Sequence, residues 1–336
     1  MKKTLLNILK SVAFLSFGAF LFYLVYRGKN FAQIWHLILQ AKLQWILLSI
    51  VLALLSHFSR AYRWKLMLKP LGYNPRVSTL FYSVMTMYFL NLAIPRSGEL
   101  IRAGIVNKYE DIPFSELFGT IVTERVIDFL MLFLFLAVVI VTQMKYLLKF
   151  LNNNPQIKSR LFELMHSTPV LIGITIGLIA LLVIIYLLRH KLRKIKLIDK
   201  IFHFAKQFWN GLKSVAHLKN KGLFILLTFI IWILYYLMIY VVFFAFPFTK
   251  HLPPIAGLTI FVLASFGMVF PSPGGMGSWH FMTIEGLKLY GVKPNPDGLT
   301  FAFAAHESQI LMLIIVGIFS MVALSLTKKI SSKSQS

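Results

Sequence analysis

The sequence predicts an all-α fold: a polytopic transmembrane helical bundle of about six full spans plus two re-entrant broken-helix hairpins, built as an inverted-topology repeat of eight hydrophobic segments. Three observations predict it. Of 336 residues, 58% are hydrophobic and the mean hydropathy is +0.74, more apolar surface than one water-soluble core can bury. Apolar segments recur along the whole chain at lengths close to the ~20 helical residues that cross about 30 Å of hydrocarbon. Two of these segments run into clusters of proline and glycine, which break a helix and reverse its direction.

The first segment, 8–26, follows Lys2 and Lys3 and reaches Arg27 without a small-residue cleavage site, so it reads as a retained helix and not a secretory leader. The second is 43–59. The third, 77–95, ends at Pro95-Arg96-Ser97-Gly98 and is followed by a half-helix over 99–107, too short to cross at about 1.5 Å per residue. The fourth, 114–143, carries Glu124, Arg125 and Asp128. The fifth is 167–188, and it leads into the basic loop 189–221, which holds ten Lys and Arg interleaved with Phe202, Phe204, Phe208 and Trp209. That loop is expected to include an amphipathic helix on the inner leaflet. The sixth segment is 222–249. The seventh, 252–270, runs into Pro271-Ser272-Pro273-Gly274-Gly275-Met276-Gly277 and a second half-helix over 278–290, and the eighth is 298–327.

The charge pattern decides between eight crossings and six. The net charge is +24, which in a soluble protein would suggest nucleic acid, but here Lys and Arg cluster at segment ends, where they meet anionic headgroups. Eight full crossings leave the basic residues almost evenly divided between the two sides. Letting the third and seventh segments turn back puts 24 Lys and Arg on the cytoplasmic side and 10 outside, with Arg125 left in the membrane. This is a clear positive-inside bias, with both termini cytoplasmic in the inner or plasma membrane. A single membrane domain, 1–336, then falls into halves of about 1–145 and 165–330 that start from opposite sides, the plan of many secondary transporters.

Only eleven acidic residues occur, and a charge at hydrocarbon depth costs on the order of 3 kcal/mol unless it faces a cavity or a partner. Glu124 and Asp128 are spaced i, i+4 and share a helix face beside Arg125. They form half of a polar site, or they lock the first hairpin by pairing with Arg96, Arg102 or Glu99; both readings stand. Gly98 opens a half-helix whose N–H groups and dipole attract an anion, with Arg96 and Arg102 as bidentate donors for a phosphodiester. Gly274, Gly275 and Gly277 leave backbone N–H groups uncovered before the second half-helix, although a tight turn explains these glycines more economically. Pro95, Pro271 and Pro273 are the breaks. In the second half Glu285, His306 and Glu307 complete the candidate set, with His280 nearby in sequence.

No His-Glu-x-x-His or comparable spacing is present, so no metal and no cofactor are expected, and buried pairing or proton handling is the reading of these histidines. The absence of cysteine excludes disulfides and thiol chemistry. Trp35, Trp45, Trp64 and Trp279 read as interface anchors and lipid-facing bulk.

The motifs Arg60-Ala61-Tyr62-Arg63-Trp64, Pro95 through Arg102, Glu124-Arg125-Val126-Ile127-Asp128 and Pro271 through Gly277 resemble those of the lysylphosphatidylglycerol synthase transmembrane-region family, the flippase-like integral membrane proteins. The likeness covers nearly the whole chain. It implies the membrane half of two-part proteins that move an aminoacylated phospholipid across the bilayer. The chain ends at Ser336, soon after its last apolar segment, so the soluble synthetic domain of those proteins is not expected here. Members without it are candidates for other lipids or polyprenyl-linked cargo.

Three functions follow as expectations. The first is a translocase moving an anionic or aminoacylated phospholipid, or a lipid-linked phosphate. The second is a membrane-embedded enzyme acting on a lipid phosphate, which the lack of a nucleophile with an evident base disfavours. The third is a non-catalytic assembly partner. The expected partners are membrane phospholipids and no nucleic acid, with a homo-oligomer or a separate lipid-modifying enzyme left open.

Overall fold

The computed structural model describes residues 31–92, 97–156, 158–159, 209, 215–269 and 272–327. The segments 8–26 and 167–188, most of the basic loop, both termini, and Pro95, Arg96 and Pro271 lie outside the described residues. Among the described residues the helices are α1 (Phe31–Leu39), α2 (Leu43–Leu68), α3 (Val77–Asn91), α4 (Gly98–Glu110), α5 (Phe114–Asn153), α6 (Lys221–Tyr240), α7 (Pro254–Gly267), α8 (Ser278–Leu289) and α9 (Leu299–Leu326). Among the described residues, four stretches are long and apolar enough to cross a bilayer: Leu43–Leu71, Phe114–Tyr146, Lys221–Ala245 and Pro294–Leu326. They present apolar residues outward at helical spacing, such as Leu47, Val51, Leu55 and Phe58 on α2, and Leu311, Ile315, Ile318 and Val322 on α9. A water-soluble surface would carry charge at these places, and lipid is the solvent that accepts them. The protein is an all-α, multi-pass membrane protein.

The boundaries follow local chemistry. Pro113 and Pro253 immediately precede α5 and α7, and the side chain of Asn220 caps α6 by accepting from the Leu223 N–H at 3.2 Å. Gly72, at φ 86°, ends the 3-10 turn that closes α2; only glycine adopts this angle without cost.

Each Pro/Gly break joins two short helices that pack on each other, α3 with α4 and α7 with α8. The hairpins close because small residues stand at the crossings. A Cβ on Gly98 would lie 2.6 Å from the Met87 side chain, and one on Gly267 would lie 2.8 Å from the Ser278 carbonyl oxygen. The packing is reciprocal between the halves. The first hairpin sits against α9 through α3 and the second against α5 through α7, while α4 and α8 contact α5 and α9 respectively and α2 runs along α6.

The apolar core has two main parts. One gathers Trp64, Met67, Leu80, Val84 and Val106 around the first hairpin. The other gathers Ile231, Phe243, Ile260, Phe261 and Phe301 around the second.

Two of the tryptophans depart from the sequence-based expectation. Trp64 and Trp279 are buried and not lipid-facing, whereas Trp35 is exposed as expected. Trp64 donates its indole N–H to Thr120 Oγ1 at 2.8 Å, and Trp279 packs on the His306 ring at 4.9 Å. Each indole is therefore committed to the polar interior and not to a headgroup layer.

Candidate functional site

The site begins with the i, i+4 acids of α5. Glu124 is fully buried and Asp128 nearly so, and the helix turns both toward α2 and α4. Arg60 of α2 pairs with Glu124 and reaches Asp128 at 2.9 Å. Arg63, one turn further on, donates to Asp128 at 2.9 Å and to Thr228 Oγ1 of α6 at 3.2 Å. Arg102 of α4 grips both oxygens of Glu124, at 3.3 and 3.0 Å, and lies 3.8 Å over the Trp64 ring, a cation–π contact that compensates in part for its loss of water. The fourth guanidinium, Arg125, is held differently. Its contacts to Glu99 and Asp128 are both 3.5 Å long, and 38% of its side chain remains exposed.

Among the described residues, four guanidinium groups thus face three carboxylates, Glu99, Glu124 and Asp128, leaving one positive charge in excess within the cluster. In a low-dielectric interior that imbalance is costly and favours an anion nearby. Beside it lies a cavity of about 590 Å³, lined by Arg60, Glu99, Arg125 and Asp128 on one side and by Gly274, Gly275 and His306 on the other. Most of its remaining wall is apolar, including Leu132, Phe261, Met268, Ile310 and Leu313. His57, Tyr88 and Tyr235 also face it; Tyr235 accepts from Arg60 Nε at 3.2 Å and the His57 and Tyr88 rings pack at 4.5 Å.

The sequence-predicted residues divide accordingly. Glu99, Arg125, Asp128, Gly274, Gly275 and His306 line one cavity, with Glu307 beside His306 at 3.4 Å. Arg102 and Glu124 belong to the cluster but are buried behind the cavity wall, with the Arg102 guanidinium turned to Glu124. The Gly98 N–H, expected to be open to an anion, is bonded to Asn91 Oδ1 at 2.9 Å. Gly274, Gly275 and Gly277 have φ of 57°, 81° and 84°, and the Gly275 N–H donates to the Ser272 carbonyl, which favours the tight-turn reading of these glycines. Pro273 opens that turn.

Glu285 is not brought to the site: it pairs with Lys288 at 3.3 Å and accepts from Asn154. Its place on α8 is five residues from His280, a different face of a helix with 3.6 residues per turn. Arg60 and Arg63, which follow the second apolar segment, are buried partners of the acids. Their i, i+3 spacing at the end of an apolar helix was the available signal.

Residues 8–317 match the lysylphosphatidylglycerol synthase TM region. The chain belongs to the lysylphosphatidylglycerol synthase transmembrane-region family. It is also similar to a UPF0104 membrane protein of Methanocaldococcus jannaschii, with 35% identity over 111 residues, 31% of this chain and 33% of the relative. The aligned region thus spans about a third of that relative's length. No solved structure matches the chain. As a family member, the chain carries its buried arginines in two of the stretches on which the resemblance rests, 60–64 and 95–102.

Proposed function

We propose that the chain is a lipid translocase whose cavity takes up the phosphate-bearing headgroup of an anionic membrane lipid while the acyl chains stay in the bilayer. The observation that carries this reading is the loosely held Arg125, which faces a cavity with a largely apolar far wall from a cluster with one unmatched positive charge. A phosphate would replace two long contacts of Arg125 with short charge-assisted ones. The paired hairpins support the same reading, because alternate exposure of a fixed midplane site by two related halves is how inverted-repeat transporters work. Membrane lipid, in the cell membrane, is then the partner, and the protein's task is passage without bond cleavage.

The test is leaflet-resolved movement of a fluorescent phosphatidylglycerol in proteoliposomes, with analysis of the recovered lipid. Wild type moves the lipid chemically unchanged, and Arg125→Gln slows movement on the order of tenfold, the worth of one charge-assisted contact of about 1.5 kcal/mol. Equal rates in both proteins would refute the assignment of Arg125, and a new lipid product would replace transport by catalysis.

A further inference from the structure

Across the cavity from the arginines, α8 and α9 bring together His280, His306 and Glu307, whose ligand atoms all lie within 4.8 Å of one another. His306 Nε2 is 3.0 Å from the Gly274 carbonyl oxygen. A carbonyl oxygen only accepts, so Nε2 carries the hydrogen, and in the neutral ring Nδ1 presents a lone pair. That lone pair faces Glu307 Oε1 at 3.4 Å, and the same oxygen is 3.4 Å from His280 Nε2.

Two acceptors aimed at each other repel unless positive charge lies between them. A proton is one candidate, but a charge-assisted N–H···O bond is about 2.7–2.9 Å long, and both contacts exceed that by a wide margin. A metal ion fits the two spacings to the shared carboxylate oxygen, since ligands bound about 2.0–2.1 Å from zinc in a tetrahedron stand about 3.4 Å apart along each edge, and the two imidazole nitrogens lie within 4.8 Å of each other. The bond from the far side of the His306 ring to a backbone carbonyl is the outer contact that orients a metal-bound imidazole.

We propose that His280, His306 and Glu307 form a binding site for a divalent transition-metal ion of the zinc type. Two imidazoles and a carboxylate are a donor set that suits this ion, and three protein ligands leave a fourth position. That position opens on the cavity, since His306 lines it and the Glu307 side chain keeps 21% of its exposure. The local spacing rule used on the sequence misses such a site because its ligands come from two helices. A lipid phosphate oxygen is the ligand that the fourth position would take, and this last step alone rests on the headgroup reading above.

The test uses the full chain in detergent, stripped with chelator and titrated with zinc, and separately with cobalt as a spectroscopic probe. Wild type binds one zinc per chain and gives the intense visible bands of tetrahedral cobalt. Both His280→Ala and Glu307→Gln lower zinc affinity by at least about tenfold, the smallest loss that a disturbed site typically shows. The exposed His251 serves as control, and His251→Ala binds as wild type does. Zinc raises the thermal midpoint of wild type and not that of Glu307→Gln, a near-isosteric change that carries the comparison if His280→Ala does not fold. Absence of stoichiometric zinc, or unchanged affinity in Glu307→Gln, overturns the site. An imidazolium signal from His306 that persists at saturating zinc would make the cluster a proton-holding pair and overturn it equally. Lipid movement is scored apart from metal binding, so a protein that binds zinc but moves no lipid refutes the function and leaves the ion site standing.

Discussion

The Arg60 guanidinium donates to the Asp128 carboxylate at 2.9 Å, joining α2 to α5 inside the membrane-spanning part of the chain. Both side chains are buried, so the pair is bound into a network in which the loss of one member strands the others. Removing one partner of a buried pair costs about 3–5 kcal/mol, whereas exposed pairs are worth about 0–1 kcal/mol. Glu124→Ala, which takes from Arg102 its carboxylate partner and leaves Arg60 paired with Asp128 alone, is therefore expected to destabilise by about 3–5 kcal/mol. Lys288→Ala, which breaks the half-exposed pair with Glu285, is expected to cost under about 1 kcal/mol. Reversible unfolding in mixed micelles compares the two, and similar losses would show that the buried network is not what holds α2, α4 and α5 together.

The contact of α9 with the first hairpin depends on a glycine. A Cβ at Gly317 would sit 2.4 Å from the Phe89 Cβ, while one at Gly104 meets nothing within 4 Å. Gly317→Ala is expected to destabilise by about 1–3 kcal/mol through overpacking. Gly104→Ala is expected to stabilise by about 0.5–1 kcal/mol, the helix preference of alanine over glycine. The same unfolding measurement reads both, and the opposite signs are the point of comparison.

Outside the spans, burial pushes the Tyr73 phenol up to about 12 from an ordinary value of 10.0, with the Glu116 carboxylate adding to the shift. Between these values the unfolded chain has lost the proton that the folded chain still holds. Stability from this group is thus fully present below pH 10 and is lost as pH rises toward 12. Wild type is expected to lose stability more steeply than Tyr73→Phe across that window, measured as the thermal midpoint against pH. Parallel curves would contradict it.

The hairpins were legible in the sequence because their cause is local: Pro and Gly at 95–98 and 271–277 break any helix, whatever surrounds them. The acids of α5 were legible for a related reason, since a span tolerates Glu124 and Asp128 only opposite partners. Arg102, on the half-helix that follows the first break, is legible as such a partner. Arg60 and Arg63 are not, because α2 continues as helix through Leu68, well past Ser59, where its uncharged stretch ends, and hydropathy stops where charge begins. The meeting of His280 with His306 and Glu307 is tertiary: nothing in either segment alone records that α8 and α9 pack side by side. The burial of Trp64 has the same origin, since the cation above its ring comes from α4.

Arg125 stands at the centre of the account, and lipid binding tests it ahead of any transport assay. Native mass spectrometry of the full chain with equimolar phosphatidylglycerol and phosphatidylcholine should show the anionic lipid retained preferentially by wild type. In Arg125→Gln that preference should fall by roughly tenfold, the loss of one charge-assisted contact. Equal retention of the two lipids by wild type, or an unchanged preference in Arg125→Gln, would contradict the claim that an unmatched guanidinium draws a phosphate into the cavity.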